Sequence, residues 1–185
     1  MAVAKQQGWR SRAAFKLIEL DDRFHLLRPG MRVVDLGAAP GGWTQVTVKG
    51  GARVVAVDLL AMDPVSGAVV VQGDFSDLAV QERLVAELGE KADLVLSDMA
   101  PNTTGHSATD HLRIVALAEL AMEFAVGVLA EGGAFVAKVF QGGAERAVLE
   151  RLKRDFASVR HAKPPASRKE SSELYVVAMG FRGGG

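Results

Sequence analysis

Short apolar, β-branched runs alternate along this chain with longer stretches in which apolar residues recur at helical spacing. The runs that predict strands are MRVVDLG (31–37), ARVVAVDL (52–59), GAVVVQGD (67–74), ADLVLSDM (92–99), GAFVAKVF (133–140), SVRHAKP (158–164) and ELYVVAMGF (173–181). Strands alternating with helices predict an α/β fold, a mostly parallel sheet covered by helices on both faces. Between the strands, SRAAFKLIELDDRF (11–24) sets Ala14, Leu17, Ile18 and Phe24 at helical spacing, with Ser11 as its N-cap. DHLRIVALAELAMEFAVGVLA (110–130) predicts a long helix opening at Asp110 and stopped by Gly132 and Gly133. AERAVLERLKRDF (144–156) is amphipathic, with basic residues on its outer face. The pattern contains no repeat, no low-complexity segment and no linker. It predicts one domain over 1–185, with 1–16 as a basic N-terminal segment and 182–185 as a flexible tail.

Length and composition agree with this picture. With 185 residues, 49% of them hydrophobic, the chain can bury one sizeable core. It has no cysteine, which excludes disulfides and thiolate metal sites and fits a reducing compartment. No apolar run approaches the roughly 20 residues needed to cross a bilayer. The opening MAVAKQQGWRSRAAFKL lacks a signal-peptide core, so a cytoplasmic location is expected, with a monomer as the default state. A net charge of zero conceals basic ends around an acidic middle: Lys5, Arg10, Arg12 and Lys16 precede any acid, and residues 145–170 carry eight basic against four acidic side chains. Such ends can attract a polyanion such as RNA, although scattered surface Lys and Arg are common.

The stretch VVDLGAAPGGWTQV (33–46) joins a predicted strand to a helix through glycines, the usual site for close approach of a ligand to backbone. A dinucleotide pyrophosphate asks for G-x-G-x-x-G at this point. Here the order is Gly37, Ala38, Ala39, Pro40, Gly41, Gly42: Ala39 replaces the second glycine, and Pro40 removes an N–H that a phosphate would use. The turn therefore suits a nucleoside ligand without phosphates, for which S-adenosyl-L-methionine is the obvious candidate, and it disfavours an NAD-dependent oxidoreductase. Asp58, about 20 residues after the turn, is placed to accept from ribose hydroxyls, and Asp74, ending the third strand, from an adenine amino group. Asp35 adds a third acid, whereas each alone can equally well cap a following helix. Trp43 is either a packed core aromatic or a wall of the cofactor pocket.

Lys138 lies within the apolar GAFVAKVFQG, where a lysine is rare. Either it snorkels from the strand end, or burial and a second cation, with Lys16 the candidate, depress its pKa and yield a neutral amine able to act as a base. Asp98 sits where the fourth strand meets the cofactor edge, and Glu173 opens the last strand.

Taken in order, RSRAAFKL, DLGAAPGGW, DLLAMDP, QGDF, LSDMAPN, AKVFQG and SSELYVVA resemble the FtsJ family of ribosomal RNA ribose 2'-O-methyltransferases over nearly the whole chain. The resemblance implies a Rossmann-like methyltransferase fold with seven strands, the last in a hairpin. Its catalytic tetrad would be Lys16, Asp98, Lys138 and Glu173. The cofactor residues would be Gly37, Gly41, Trp43, Asp58, Asp74 and Asp98. It further implies methyl transfer to the 2'-hydroxyl of a uridine in 23S rRNA, within the large ribosomal subunit, without a metal.

That chemistry suits the tetrad. A ribose hydroxyl is a weak acid, so a base must take its proton as the oxygen attacks the methyl group. Lys138 would be that base, Asp98 would hold the lysines and face the donor methyl, Lys16 would favour the developing alkoxide, and Glu173 would orient the amine or the ribose. Arg10, Arg12, Arg168 and Lys169 are candidate phosphate contacts flanking the same mouth. Two departures from the family stand out: members carry a longer basic segment before the position of Gly8, and the turn between TQVTVKGG and ARVVAVD is shorter here. Two alternatives stay open, a 2'-O-methyltransferase of tRNA or a messenger cap, and a non-catalytic ribosome assembly factor with the same fold.

Overall fold

The computed structural model describes residues 3, 4, 7–99, 107–140, 144–167 and 173–183, apart from the side chains of 107–111 and 140. Within this range the order is α1 (Ala13–Phe24), β1 (Arg32–Leu36), α2 (Gly42–Lys49), β2 (Arg53–Asp58), β3 (Ala68–Gln72), α3 (Leu78–Leu88), β4 (Ala92–Ser97), α4 (Ser107–Val128), β5 (Leu129–Phe140), α5 (Arg146–Asp155), β6 (Phe156–Ala162) and β7 (Glu173–Phe181). The strands form one seven-stranded sheet in the order β3-β2-β1-β4-β5-β7-β6. All neighbours pair in parallel except β7, which runs antiparallel to both β5 and β6.

The central strands β1, β2 and β4 are apolar along nearly their whole length because both faces of the sheet are covered there, whereas the edge strands β3 and β6 are largely exposed. Val33, Val54, Leu94, Leu96, Val136 and Val177 face a core shared with Leu17 and Leu20 of α1 and Trp43 and Val46 of α2. Their immediate neighbours Val34, Val55, Val95, Phe135 and Val176 point the other way, into a core with Leu84 of α3, Phe124 of α4 and Leu152 of α5. This period-two division sends consecutive residues to opposite sides. Leu17, Leu84, Leu94, Leu96 and Leu152 are fully buried, and burial of each such side chain contributes about 1.5–3 kcal/mol.

The path of the chain creates the crevice. From β1 it moves outward through β2 and β3, then crosses back to place β4 on the other side of β1. The connections leaving the carboxyl ends of β1 and β4 therefore diverge, and the space between them is where open α/β sheets bind ligands.

Three local expectations are corrected. The long helix ends at Val128, and β5 begins at Leu129. Gly132 and Gly133 lie inside that strand, at a register shift in which Ala92 pairs with Leu129 but Leu94 with Ala134, five positions on β5 against two on β4; Gly132, at φ 84°, takes a left-handed conformation within this irregular stretch. The sixth strand covers 156–162 instead of 158–164. Ser11 does not cap α1: that position belongs to Arg12, which makes no side-chain cap. The Ser11 hydroxyl instead packs beside Gly42, where an added Cβ would come within 2.7 Å of it.

Candidate active site

Register carries four separated side chains to one place. Val136 and Leu96 face the α1/α2 core, so Lys138 and Asp98, each two residues further on, emerge on the same side at the carboxyl end of the parallel strands. Because β7 is antiparallel, its first residue is at that end too: Glu173 pairs with Phe140, and Tyr175 with Lys138. Helix α1, lying over this face, supplies Lys16.

These groups form a chain of alternating charge. Lys16 Nζ is 3.5 Å from Glu173 Oε2, Lys138 Nζ is 3.5 Å from Glu173 Oε1, and Lys138 Nζ is 3.1 Å from Asp98 Oδ1. The Tyr175 hydroxyl donates to the same Asp98 Oδ1 at 2.7 Å. Lys138 is the most enclosed of the charged members, with 8% of its side chain exposed. The structure thus brings together all four residues of the expected tetrad and adds Tyr175, which sequence reading missed. Its signal was present: it lies two positions after Glu173, hence on the same face of an apolar strand.

The electrostatics reverse one expectation. Burial alone would lower the pKa of Lys138, but the adjacent Asp98 and Glu173 carboxylates outweigh it and hold the pKa above the ordinary lysine value. Burial of Glu173 is likewise overridden by Lys138 and Lys16, which keep its carboxyl below the usual range. Tyr175 is pushed well above 10 by burial and by the Asp98 charge, so it stays a neutral donor. In the protein alone Lys138 is therefore an ammonium ion at neutral pH, not the free amine expected from burial and a neighbouring cation. The two acids decide this, and the sequence gives no distance to either.

Asp98 also closes one end of a cavity of about 550 Å³ lined by Gly37, Ala39, Asp58 to Leu60, Gly73 to Ser76, Met99, Arg113, Ala116, Leu117 and Leu120. This is the size of a small-ligand pocket. Leu59 and Leu60, 65% and 68% exposed, present apolar side chains at its rim. Asp58 ties its base together: Oδ2 accepts from the Ala39 N–H at 2.9 Å and Oδ1 from the Leu60 N–H at 2.8 Å. Each oxygen keeps a lone pair for a ligand hydroxyl. Asp74 accepts from the Ser76 hydroxyl at 2.7 Å and its N–H at 2.9 Å, and these bonds hold its pKa low. The cap of α3 is Asp77, not Asp74. Gly37, at φ 76°, has no room for a Cβ, which would lie 2.7 Å from the Met99 side chain and 2.9 Å from its Cα.

Other expected site residues take different places. The Trp43 ring is buried, donates from Nε1 to the Ala13 carbonyl at 2.7 Å and packs against Tyr175 at 5.5 Å between ring centroids; it does not line the large cavity. Gly41 adopts φ 121° under the Arg10 side chain. Arg12 is exposed, whereas Arg168 and Lys169 lie outside the described residues. Arg113, which sequence reading did not single out, lines the cavity.

Asp35 is fully buried beneath the turn, accepting from the Thr44 hydroxyl at 2.7 Å, and its Oδ1 has no hydrogen-bond partner among the described residues. Burial raises its pKa from 3.8 to about 7, against the Thr44 bond and with a smaller push from Asp98 and Asp58. The folded chain therefore holds this proton at pH values where the unfolded chain has lost it. Stability contributed through Asp35 falls as pH rises from about 4 to about 7, and the full loss is about 4 kcal/mol. In Asp35→Asn the fall is absent: urea midpoints at pH 5 and pH 8 will differ less than in the wild type.

The FtsJ-like methyltransferase family profile matches residues 9–181. A ribosomal RNA large subunit methyltransferase E from Granulibacter bethesdensis is 69% identical over 100% of this chain and 81% of its own length. One of the same name from Gluconobacter oxydans is 66% identical over 98% of this chain and 68% of its own. Among solved structures, a ribosomal RNA methyltransferase from Plasmodium falciparum superimposes with a TM-score of 0.84 at 30% identity, covering 95% of this chain and all of the other. The sheet order, the cavity above β1 and β4, and these likenesses agree: the chain belongs to the FtsJ-like methyltransferase family.

Proposed function

We propose that this enzyme transfers a methyl group from S-adenosyl-L-methionine to the 2'-hydroxyl of a uridine in 23S rRNA, within the large ribosomal subunit. The observation that carries the reading is Asp98, which belongs at once to the cavity wall and to the Lys138 ion network. One carboxylate thereby joins a nucleoside-sized pocket to a candidate base.

The pocket fits the donor by its own chemistry. Asp58 and Asp74 offer acceptors to ribose hydroxyls and an amino group, and Leu59, Leu60 and Phe75 offer apolar surface to a purine. Gly37 lets a ligand approach the turn, while Gly41, with Arg10 against it, and the buried Trp43 shape the turn that receives the donor. When bound, the donor supplies a methyl group on a positively charged sulfur, which leaves neutral. Lys138, as the free amine, takes the hydroxyl proton. Lys16 stands by the developing alkoxide, Glu173 orients both amines, and Tyr175 fixes Asp98 by donating to it. A positive charge entering beside Asp98 weakens that carboxylate's hold on the Lys138 proton, which favours the free amine once the pocket is filled. Alignment of the two reactants lowers the barrier further.

On the same reading, exposed Arg12 meets RNA phosphate, together with Arg168 and Lys169. The chain acts as a monomer in the cytoplasm; among the described residues no helix is long and apolar enough to cross a membrane. The relatives named above carry rRNA methyltransferase in their names, and the 2'-hydroxyl is the acceptor for which a lysine base makes physical sense. The test is transfer of labelled methyl to large subunits lacking their own 2'-O-methylation, followed by nuclease digestion. A single 2'-O-methylated uridine is expected. Label on a base, or on tRNA alone, overturns the assignment.

A further inference from the structure

The arm before α1 contains an arginine whose guanidinium is engaged by backbone carbonyls of the protein itself. Arg10 Nη1 donates to the Pro40 carbonyl at 3.0 Å and to the Asp63 carbonyl at 2.6 Å, and Nη2 donates to the Pro64 carbonyl at 2.7 Å. Two of these acceptors lie in the loop after β2 and the third in the glycine turn after β1. Both segments border the donor cavity, through Ala39 and Gly37 on one side and Asp58 to Leu60 on the other. The guanidinium is thus a bridge between the two loops, and its planar fork satisfies three carbonyls that a single ammonium would match poorly.

The arm is itself held to α2. The Arg10 N–H donates to Gln45 Oε1 at 2.8 Å, and Gln45 Nε2 returns a bond to the Gly8 carbonyl at 3.2 Å. A Cβ on Gly41 would meet Arg10 Nη1 at 2.8 Å, and one on Gly42 would meet the Ser11 hydroxyl at 2.7 Å. Both glycines thereby admit the arm, and neither of them lines the cavity.

Resting on the donor assignment above, we infer that Arg10 is a positioning residue of the donor site: it fixes the distance between the glycine turn and the loop after β2, and so presets the pocket. Without it each loop must be ordered by the ligand, a cost paid as lost affinity. This role differs from the phosphate contact that its place in a basic segment suggests, and the two make opposite forecasts.

The experiment measures two quantities in the full chain: the dissociation constant for S-adenosylmethionine by calorimetry, and the salt dependence of binding to an rRNA fragment. Arg10→Ala is expected to raise the cofactor dissociation constant about tenfold, a change of ~1.4 kcal/mol, with the salt slope unchanged. Arg10→Lys, which keeps the charge and part of the bonding, is expected to recover part of the affinity. Gln45→Ala loosens the arm without altering any charge, so it carries the test if the arginine variant folds poorly; a rise of about threefold is expected. Cofactor affinity within twofold of wild type in these variants overturns the inference. So does a slope reduced by about 0.7 to 0.9 in Arg10→Ala with unchanged cofactor affinity, the signature of one lost phosphate contact. Failure of the wild type itself to bind the cofactor overturns the donor assignment and this inference with it, an outcome distinct from either.

Discussion

Lys138→Ala will lower kcat for methyl transfer by about 100- to 10,000-fold, the range spanned by loss of a positioned general base, while cofactor affinity stays near that of the wild type. The affinity is preserved because Lys138 is absent from the cavity wall, which the network enters only through Asp98. The pH profile supplies a second reading of the same group. Asp98 and Glu173 raise the Lys138 pKa above 10.5, so in the donor-free enzyme the amine is protonated across the neutral range and its basic form grows tenfold with each pH unit. Accordingly kcat/KM for the donor, which reports the donor-free enzyme, is expected to climb with unit slope from pH 7 to about 10. A flat profile would mean that Lys138 does not limit the reaction through its proton.

The second large effect is expected at Asp98. Asp98→Asn keeps the shape and an oxygen able to accept from Tyr175, but removes the charge that steadies the ammonium and, on the proposed function, faces the donor. Loss of one preorganised electrostatic group typically costs about 100- to 1,000-fold in kcat, and that is the expected fall. The pH limb should move in the opposite sense to a simple loss of function. With one of the two carboxylates gone, the Lys138 pKa falls, and the alkaline rise of kcat/KM levels off at lower pH than in the wild type. Measuring both variants over one pH range separates the base from the group that tunes it. A fall in kcat without movement of the limb would assign Asp98 to the donor and not to the lysine.

Much of this site was legible before folding because its residues break local rules. Lys138 interrupts an apolar strand; Ala39 and Pro40 spoil a phosphate turn; Asp58 and Asp74 close runs of valine. Such anomalies are visible in one dimension because each is judged against its immediate neighbours. The helix end at Val128 was not legible for a related reason. The glycines at 132 and 133 look like a helix stop, and only pairing with β4, nearly 40 residues earlier, places them inside a strand at a shift of register.

The sequence by itself determined the elements, the two-sided burial of the sheet and the identity of the four charged residues that meet at its edge, because periodicity and side-chain chemistry are local properties. Tertiary structure alone decided the charge state of Lys138, the recruitment of Tyr175 to Asp98 and the engagement of Arg10 with three carbonyls. Each of these depends on distances of about 3 Å between residues 30 to 77 positions apart. Electrostatic and hydrogen-bond energies change over fractions of that distance, and no pattern along the chain encodes it.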